Sequence, residues 1–193
     1  MCAKETAQME FETPIDSRIA FVEAGAVTFG VRYRRYSYRE GVVIYVLGPY
    51  QDTPFSGIGK PRVSEGRYAE AAPHTFSDGN YDGVEGTRSQ YLRAELFDIF
   101  PHLHYCRFPT GDKAKECIKI TDGEEEVPLD PVSEGDLITW TINAFRDRLV
   151  PMLERGEFAE AARAVDIDKV RAKLPEVEAI ARRLDNGRTP SLI

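Results

Sequence analysis

RAELFDIFPHLHYCRF, from Arg93 to Phe108, decides how the rest of this 193-residue chain is read. Ala, Leu and Glu are strong helix formers, and Leu92, Leu96, Ile99 and Phe100 recur at helical spacing. The pattern predicts a helix from Arg88 to Phe100, capped by Thr87 and stopped by Pro101. Beyond the proline the period changes. His102, His104 and Cys106 alternate with Leu103, Tyr105 and Arg107, which is the period of a strand. Successive strand side chains point to opposite faces, so the two histidines and the cysteine share one face.

Upstream, residues 1–16 read as a flexible arm, and Arg18 to Tyr50 is strand-rich. Ile19–Glu23 and Val27–Arg39 carry β-branched and aromatic residues, and Val42–Leu47 (VVIYVL) is a continuous apolar run expected of a strand covered on both faces. Glu40-Gly41 between them is the expected hairpin turn. Gly48–Thr87 is crowded with Gly, Pro, Ser and Asp, and a structureless stretch of that length in a compact domain is expected to work as a lid or binding loop.

Downstream, Glu116–Thr121 (ECIKIT) alternates as a further strand. From Ser133 the texture turns helical. Ser133 with Asp136 resembles a capping box, and Leu137, Ile138, Ile142, Phe145, Leu149, Met152 and Leu153 form a stripe that Pro151 should kink. A short helix over Glu157–Ala164 follows, then a last one capped by Asp166 or Asp168 and stopped by Asn186-Gly187. The expectation is a single α+β domain over 1–193. It has a sheet-rich core over 17–131, crossed by one helix and covered by the loop 48–87, with a helical part over 132–187 packed on it.

The histidine strand carries the chemistry. Residues i and i+2 of a strand place two imidazoles close enough for one cation, so His102 and His104 are candidate ligands, with His74 as a third nitrogen. That donor set suits a first-row divalent metal, zinc or iron. Glu95 is the candidate general base or the partner of an imidazole N–H, and His104 and Tyr105 are candidate proton carriers. Arg32, Arg34 and Arg35, with Tyr36, are the candidate substrate holders, because guanidinium forks match carboxylates and phosphates. The other outcome of the same residues is a solvated strand face and packed, structural histidines.

Two further motifs fail at defined positions. Gly57-Ile58-Gly59-Lys60-Pro61 has proline where a phosphate loop needs Ser or Thr, so no nucleotide cofactor is expected. Asp78-Gly79-Asn80-Tyr81-Asp82-Gly83 is the first half of a calcium loop, but Ser89 stands at the twelfth position in place of Glu. A string of turns is the expectation there, with calcium the alternative.

Composition narrows the class. Hydrophobic residues at 42% and charged residues at 30% fit a globular domain rather than a disordered chain. A net charge of −7 disfavours general nucleic-acid binding. No apolar run of about 18 residues is present, which disfavours a membrane span. Three cysteines (Cys2, Cys106 and Cys117) without framework spacing, and a polar start with no apolar leader, point to a reducing compartment, with the cytoplasm expected. The sequence therefore suggests a small enzyme acting on a polar or anionic small molecule. The competing class is a non-catalytic ligand-binding or interaction module, whose amphipathic C-terminal helices would offer a homodimer surface.

Overall fold

A computed structural model describes residues 19–35, 38–49, 74–77, 87–106 and 125–186. Among the described residues, seven strands form one antiparallel sheet: β1 (Ala20–Ala24), β2 (Val27–Arg35), β3 (Glu40–Leu47), β4 (His74–Ser77), β5 (Thr87–Phe97), β6 (His102–Tyr105) and β7 (Glu125–Pro128). The spatial order is β1-β2-β3-β5-β6-β7. β4 and β6 lie end to end along one edge of β5, pairing Ser89 with Thr75 and Glu95 with His102. Four helices follow among the described residues: α1 (Pro131–Glu134), α2 (Leu137–Arg155), α3 (Ala159–Ala164) and α4 (Ile167–Asn186). The α+β class is as expected, but β5 is a strand where a crossing helix was predicted.

The correction has a clear physical reason. Leu92 and Leu96 are four apart, a spacing that serves a helix face and a strand face equally. In the structure Leu92, Ala94 and Leu96 alternate into the core beneath the helices, while Arg93, Glu95 and Phe97 occupy the opposite face. The helical stripe would have buried Ile99 and Phe100 as well, yet both are exposed, Phe100 at 74%. β3 decides the outcome. Its Val42, Val43, Ile44, Val46 and Leu47 are fully buried, so it needs a hydrogen-bonded partner on each edge, and β5 supplies the second. Long-range pairing overrides local helix propensity here.

The turns moved by a few residues. Gly25, with φ of 77°, is the first residue of a two-residue β1–β2 turn, a position that favours glycine. The β2–β3 connection falls at residues 36–39, not at Glu40-Gly41. Gly41 lies inside β3, where an added Cβ would stand 2.3 Å from the Leu96 carbonyl oxygen and 2.8 Å from the Phe97 Cα. Its glycine serves close strand approach rather than a turn.

One sheet face is covered by α2 and α4. Phe145, Leu149 and Leu153 of α2 and Leu174, Val177 and Ala181 of α4 pack against Val22, Phe29, Val31, Ile44 and Leu92. The Phe29 and Phe145 rings stand 5.8 Å apart. Each such large apolar side chain contributes about 1.5–3 kcal/mol on burial. Asp136, not Ser133, caps α2, accepting from the amides of Ile138 and Thr139, while Asp130 caps α1 and holds Ser133 at 2.7 Å. α2 runs through Pro151 to Arg155 as one helix. Asp166 caps α4, and Arg182 ties α4 back to Asp136 at 2.8 Å. α3 starts later than predicted because Glu157 adopts φ of 65°.

The opposite face carries a second apolar cluster of Ile19, Val43, Tyr45, Leu47 and Phe97, with Phe21 beside it. No helix among the described residues is long and apolar enough to cross a membrane. Tyr36, the stretches 50–73 and 78–86 of the expected lid, the calcium-like loop and the expected strand over 116–121 lie outside the described residues. The short strand β4 lies within the stretch read as loop.

Candidate metal centre

The second sheet face is built of cross-strand rows. Arg32 of β2, Val43 of β3, Glu95 of β5 and His102 of β6 stand side by side in one row. In the next, Tyr45 opposes Arg93, which opposes His104, which opposes Glu126 of β7. Antiparallel pairing thus brings Glu95, His102 and His104 together by register alone, although the sequence separates the glutamate from the histidines by a hairpin.

All three residues are buried. One ligand atom from each lies within 4.8 Å of the other two, a group that could hold a metal ion. His102 Nε2 is 3.4 Å from Glu95 Oε2, and His104 Nε2 is 3.8 Å from Glu95 Oε1. Two metal–ligand bonds of about 2.1 Å meeting at a tetrahedral angle separate their ligand atoms by about 3.4 Å, so the spacing fits.

The His102 ring is oriented from behind. His102 Nδ1 lies 2.5 Å from the Phe100 carbonyl oxygen. A carbonyl can only accept, so Nδ1 carries the proton and Nε2 faces Glu95. The hairpin loop makes this possible: Phe100, at φ 55°, holds its carbonyl against the ring. His104 Nδ1 stands 3.8 Å from the exposed carboxylate of Glu126, its register partner. Carboxylates and backbone carbonyls behind the distal nitrogen are the usual supports of metal-binding imidazoles.

Cations crowd the carboxylate. Arg93 Nε is 2.8 Å from Glu95 Oε1, and Arg39 Nη2 is 3.8 Å from Oε2. Burial pushes the Glu95 carboxyl up, but the adjoining His104, the Arg93 charge and the His102 imidazole outweigh it and hold it at about 2. The sign follows from linkage. A depressed carboxyl adds stability that is full above its unfolded value and fades as pH falls through the folded one. Urea unfolding in chelator should therefore show about 3 kcal/mol of stability lost between about pH 4.5 and pH 2 that a Glu95→Gln variant does not lose.

The other predicted residues divide by strand parity. Tyr105 points to the opposite face, into the core under Arg155, and takes no part in the group. Its alternation with His104 places it there. Arg32 shares the face, but its Nε lies 2.8 Å from the Tyr45 hydroxyl, and it stands two strands, about 10 Å, from Glu95. Arg34 is on this face too, close enough to Tyr45 for its charge to counter the upward push that burial exerts on that phenol. Arg35 turns away and pairs with Glu40 at the hairpin. The backbone of His74 stands opposite Gln90, five register positions from Glu95, and its side chain lies outside the described residues; Glu95 fills the third place. Cys106 is buried and held by the Gln90 amide at 3.0 Å.

Sequence reasoning missed Arg39, Arg93, Glu126 and the Phe100 carbonyl. Counted from β3, beyond the turn, Arg39 falls beside Gly41 and Val43 on the Glu95 face. Glu126 gave no strand signal in an acidic run bounded by proline.

The profile of a family described as a domain of unknown function, DUF7700, matches residues 74–181, more than half of the chain. The chain belongs to this family. No curated protein and no solved structure matches it. The DUF7700 match runs from β4 into α4, so Glu95, His102, His104, Arg93 and Glu126 all fall within it, while Arg39 lies outside.

Proposed function

We propose that this DUF7700 protein is a small metal-dependent enzyme acting on a polar, anionic small molecule, with Glu95, His102 and His104 as ligands of a zinc or iron ion. The observation that carries this reading is the orientation of His102. With Nδ1 committed to the Phe100 carbonyl, Nε2 is aimed at a carboxylate oxygen 3.4 Å away, longer than a good hydrogen bond and matched to a shared cation. Two histidines and one carboxylate on one face leave further coordination positions for water and substrate, the donor set of non-haem iron and of catalytic zinc sites. Bound metal would polarise a substrate oxygen or supply hydroxide near neutral pH. Arg93 would hold one oxygen of Glu95 while the other faces the ion, and Glu126 would support His104.

A thermal-shift series tests the metal. Against chelator, zinc or iron(II) at about 100 times its dissociation constant should stabilise the wild type by about 2.7 kcal/mol, a rise of several degrees. His104→Ala should show none of it. Turnover of a small-anion panel should stop in chelator and return with metal; activity indifferent to chelator would sink the metalloenzyme reading.

A second reading is favoured by the 2.8 Å Arg93–Glu95 contact. There the group is a metal-free ion-pair network within a ligand-binding module, and His102 pairs with Glu95 as an imidazolium. Wild type and His104→Ala would then respond alike to every metal.

A further inference from the structure

We infer that the end of the sheet carrying Tyr38, Ile99, Phe100 and Val132 is a two-fold interface, and that a second copy of this chain covers it. The inference stands apart from the metal reading, although the surface borders the centre, because the Phe100 carbonyl holds His102 Nδ1 at 2.5 Å.

The observation is where the exposed apolar side chains fall. Among the described residues, the large hydrophobics left exposed are Tyr38 at 64%, Ile99 at 42%, Phe100 at 74% and Val132 at 92%. The register gathers all four at one end. Gly41 pairs with Phe97 and His102 with Pro128, so the β2–β3 connection, the β5–β6 hairpin and the start of α1 lie side by side there. The apolar stripes of α2 and α4, by contrast, are packed on the sheet.

Phe100 sharpens the point. Its φ of 55° is a left-handed backbone that favours glycine or asparagine, and its ring stands in water. Neither backbone nor hydration favours phenylalanine at this position in the isolated chain. An apolar occupant against the ring does. The frame beneath is already fixed. The Asp98 amide donates to the Glu40 carbonyl at 3.0 Å, the Glu40 amide to the Asp98 carboxylate at 3.0 Å, and the Leu129 amide to the Pro101 carbonyl at 2.8 Å. A surface held in shape before contact loses little freedom on association.

Area and charge select the occupant. Scaled to their full size, the four residues expose on the order of 500 Å² together, in the upper range for an apolar patch on a monomer. Two copies meeting across it would bury about 1,000 Å², the size at which specific interfaces begin. Aromatic anchors carry much of the energy of such contacts, and identical patches need only a two-fold axis to meet. The exposed side chains of Asp98 and Asp130 flank the apolar residues, and an anionic lipid surface would repel them.

Sedimentation velocity of the tag-free full chain, from low to high micromolar concentration, tests the interface. Wild type is compared with Phe100→Asn, which suits the left-handed backbone, and with Val132→Ser, which lies apart from the hairpin. The melting temperature of each is read at the lowest concentration, where monomer dominates. The expected result is a wild-type dimer whose dissociation constant rises by about tenfold or more in Phe100→Asn. It should rise in Val132→Ser too, with neither monomer melting earlier than wild type. A dimer that both variants leave intact overturns the inference and places the contact on another surface. A wild type that stays monomeric throughout overturns it as well. If that monomer floats with phosphatidylcholine vesicles, and Phe100→Asn does not, the patch belongs to a bilayer instead.

Discussion

Replacing Glu95 with glutamine should lower the unfolding midpoint of the metal-free protein by about 10 °C. Glu95 is the carboxylate against which Arg93 and Arg39 stand, and it lies between them and two buried imidazoles. Removing one partner of a buried pair costs about 3–5 kcal/mol. Arg93 and Arg39 keep 18% and 21% of their side-chain surface in water, which favours the lower end of that range. For a chain of this size, each kcal/mol shifts the midpoint by about 2–4 °C. The double variant Arg93→Met/Glu95→Met should recover much of the loss, because apolar replacement of a whole buried pair is often neutral. Thermal unfolding followed by circular dichroism in chelator reads all three proteins. A Glu95→Gln variant as stable as wild type would mean that the carboxylate is not integrated with the cations around it.

Gly41→Ala should be comparably damaging although it adds only one methyl group. The new Cβ would meet the Leu96 carbonyl oxygen at 2.3 Å and the Phe97 Cα at 2.8 Å, both backbone atoms that cannot rotate aside. β3 and β5 would have to separate at the central pairing of the sheet, where Gly41 opposes Phe97 and Val43 opposes Glu95. A loss of about 3 kcal/mol is expected, at the upper end for overpacking. The displacement falls next to the centre, since Phe97 carries Arg39 and is followed directly by the hairpin that presents the Phe100 carbonyl to His102. On the proposed metal reading, zinc affinity should fall together with stability. Urea unfolding and a zinc titration measure the two effects, and a Gly41→Ala protein with wild-type stability would contradict the close approach of the strands.

Much of the fold was legible from local pattern. VVIYVL has no polar position to leave in water, so β3 had to be central. The apolar stripes of α2 and α4, interrupted by capping aspartates, leave helix as the economical arrangement. What could not be read was β5. RSQYLRAELF satisfies both periods, and the choice between them is made by the open edge of β3 more than 40 residues earlier in the chain.

The site was legible to the same extent. The pair His102 and His104 follows from alternation alone, and their common face is as expected. Glu95 was singled out as a carboxylate on a helix leading in; it reaches the histidines as their cross-strand neighbour, which only the β5–β6 register reveals. Tyr105 was lost to parity, and Arg35 to its hairpin partner Glu40. Arg39 and Glu126 had no local signature, since each acquires its role from a turn or a strand pairing that sequence periodicity does not encode.

The most direct test of the account is metal content by inductively coupled plasma mass spectrometry. It is read on tag-free protein after dialysis against zinc, iron(II) or manganese, with wild type beside His102→Ala/His104→Ala. The account predicts close to one ion of a single metal per chain in the wild type and none in the folded double variant. Equal metal content in the two proteins, or none in the wild type, would contradict a metal centre at Glu95, His102 and His104.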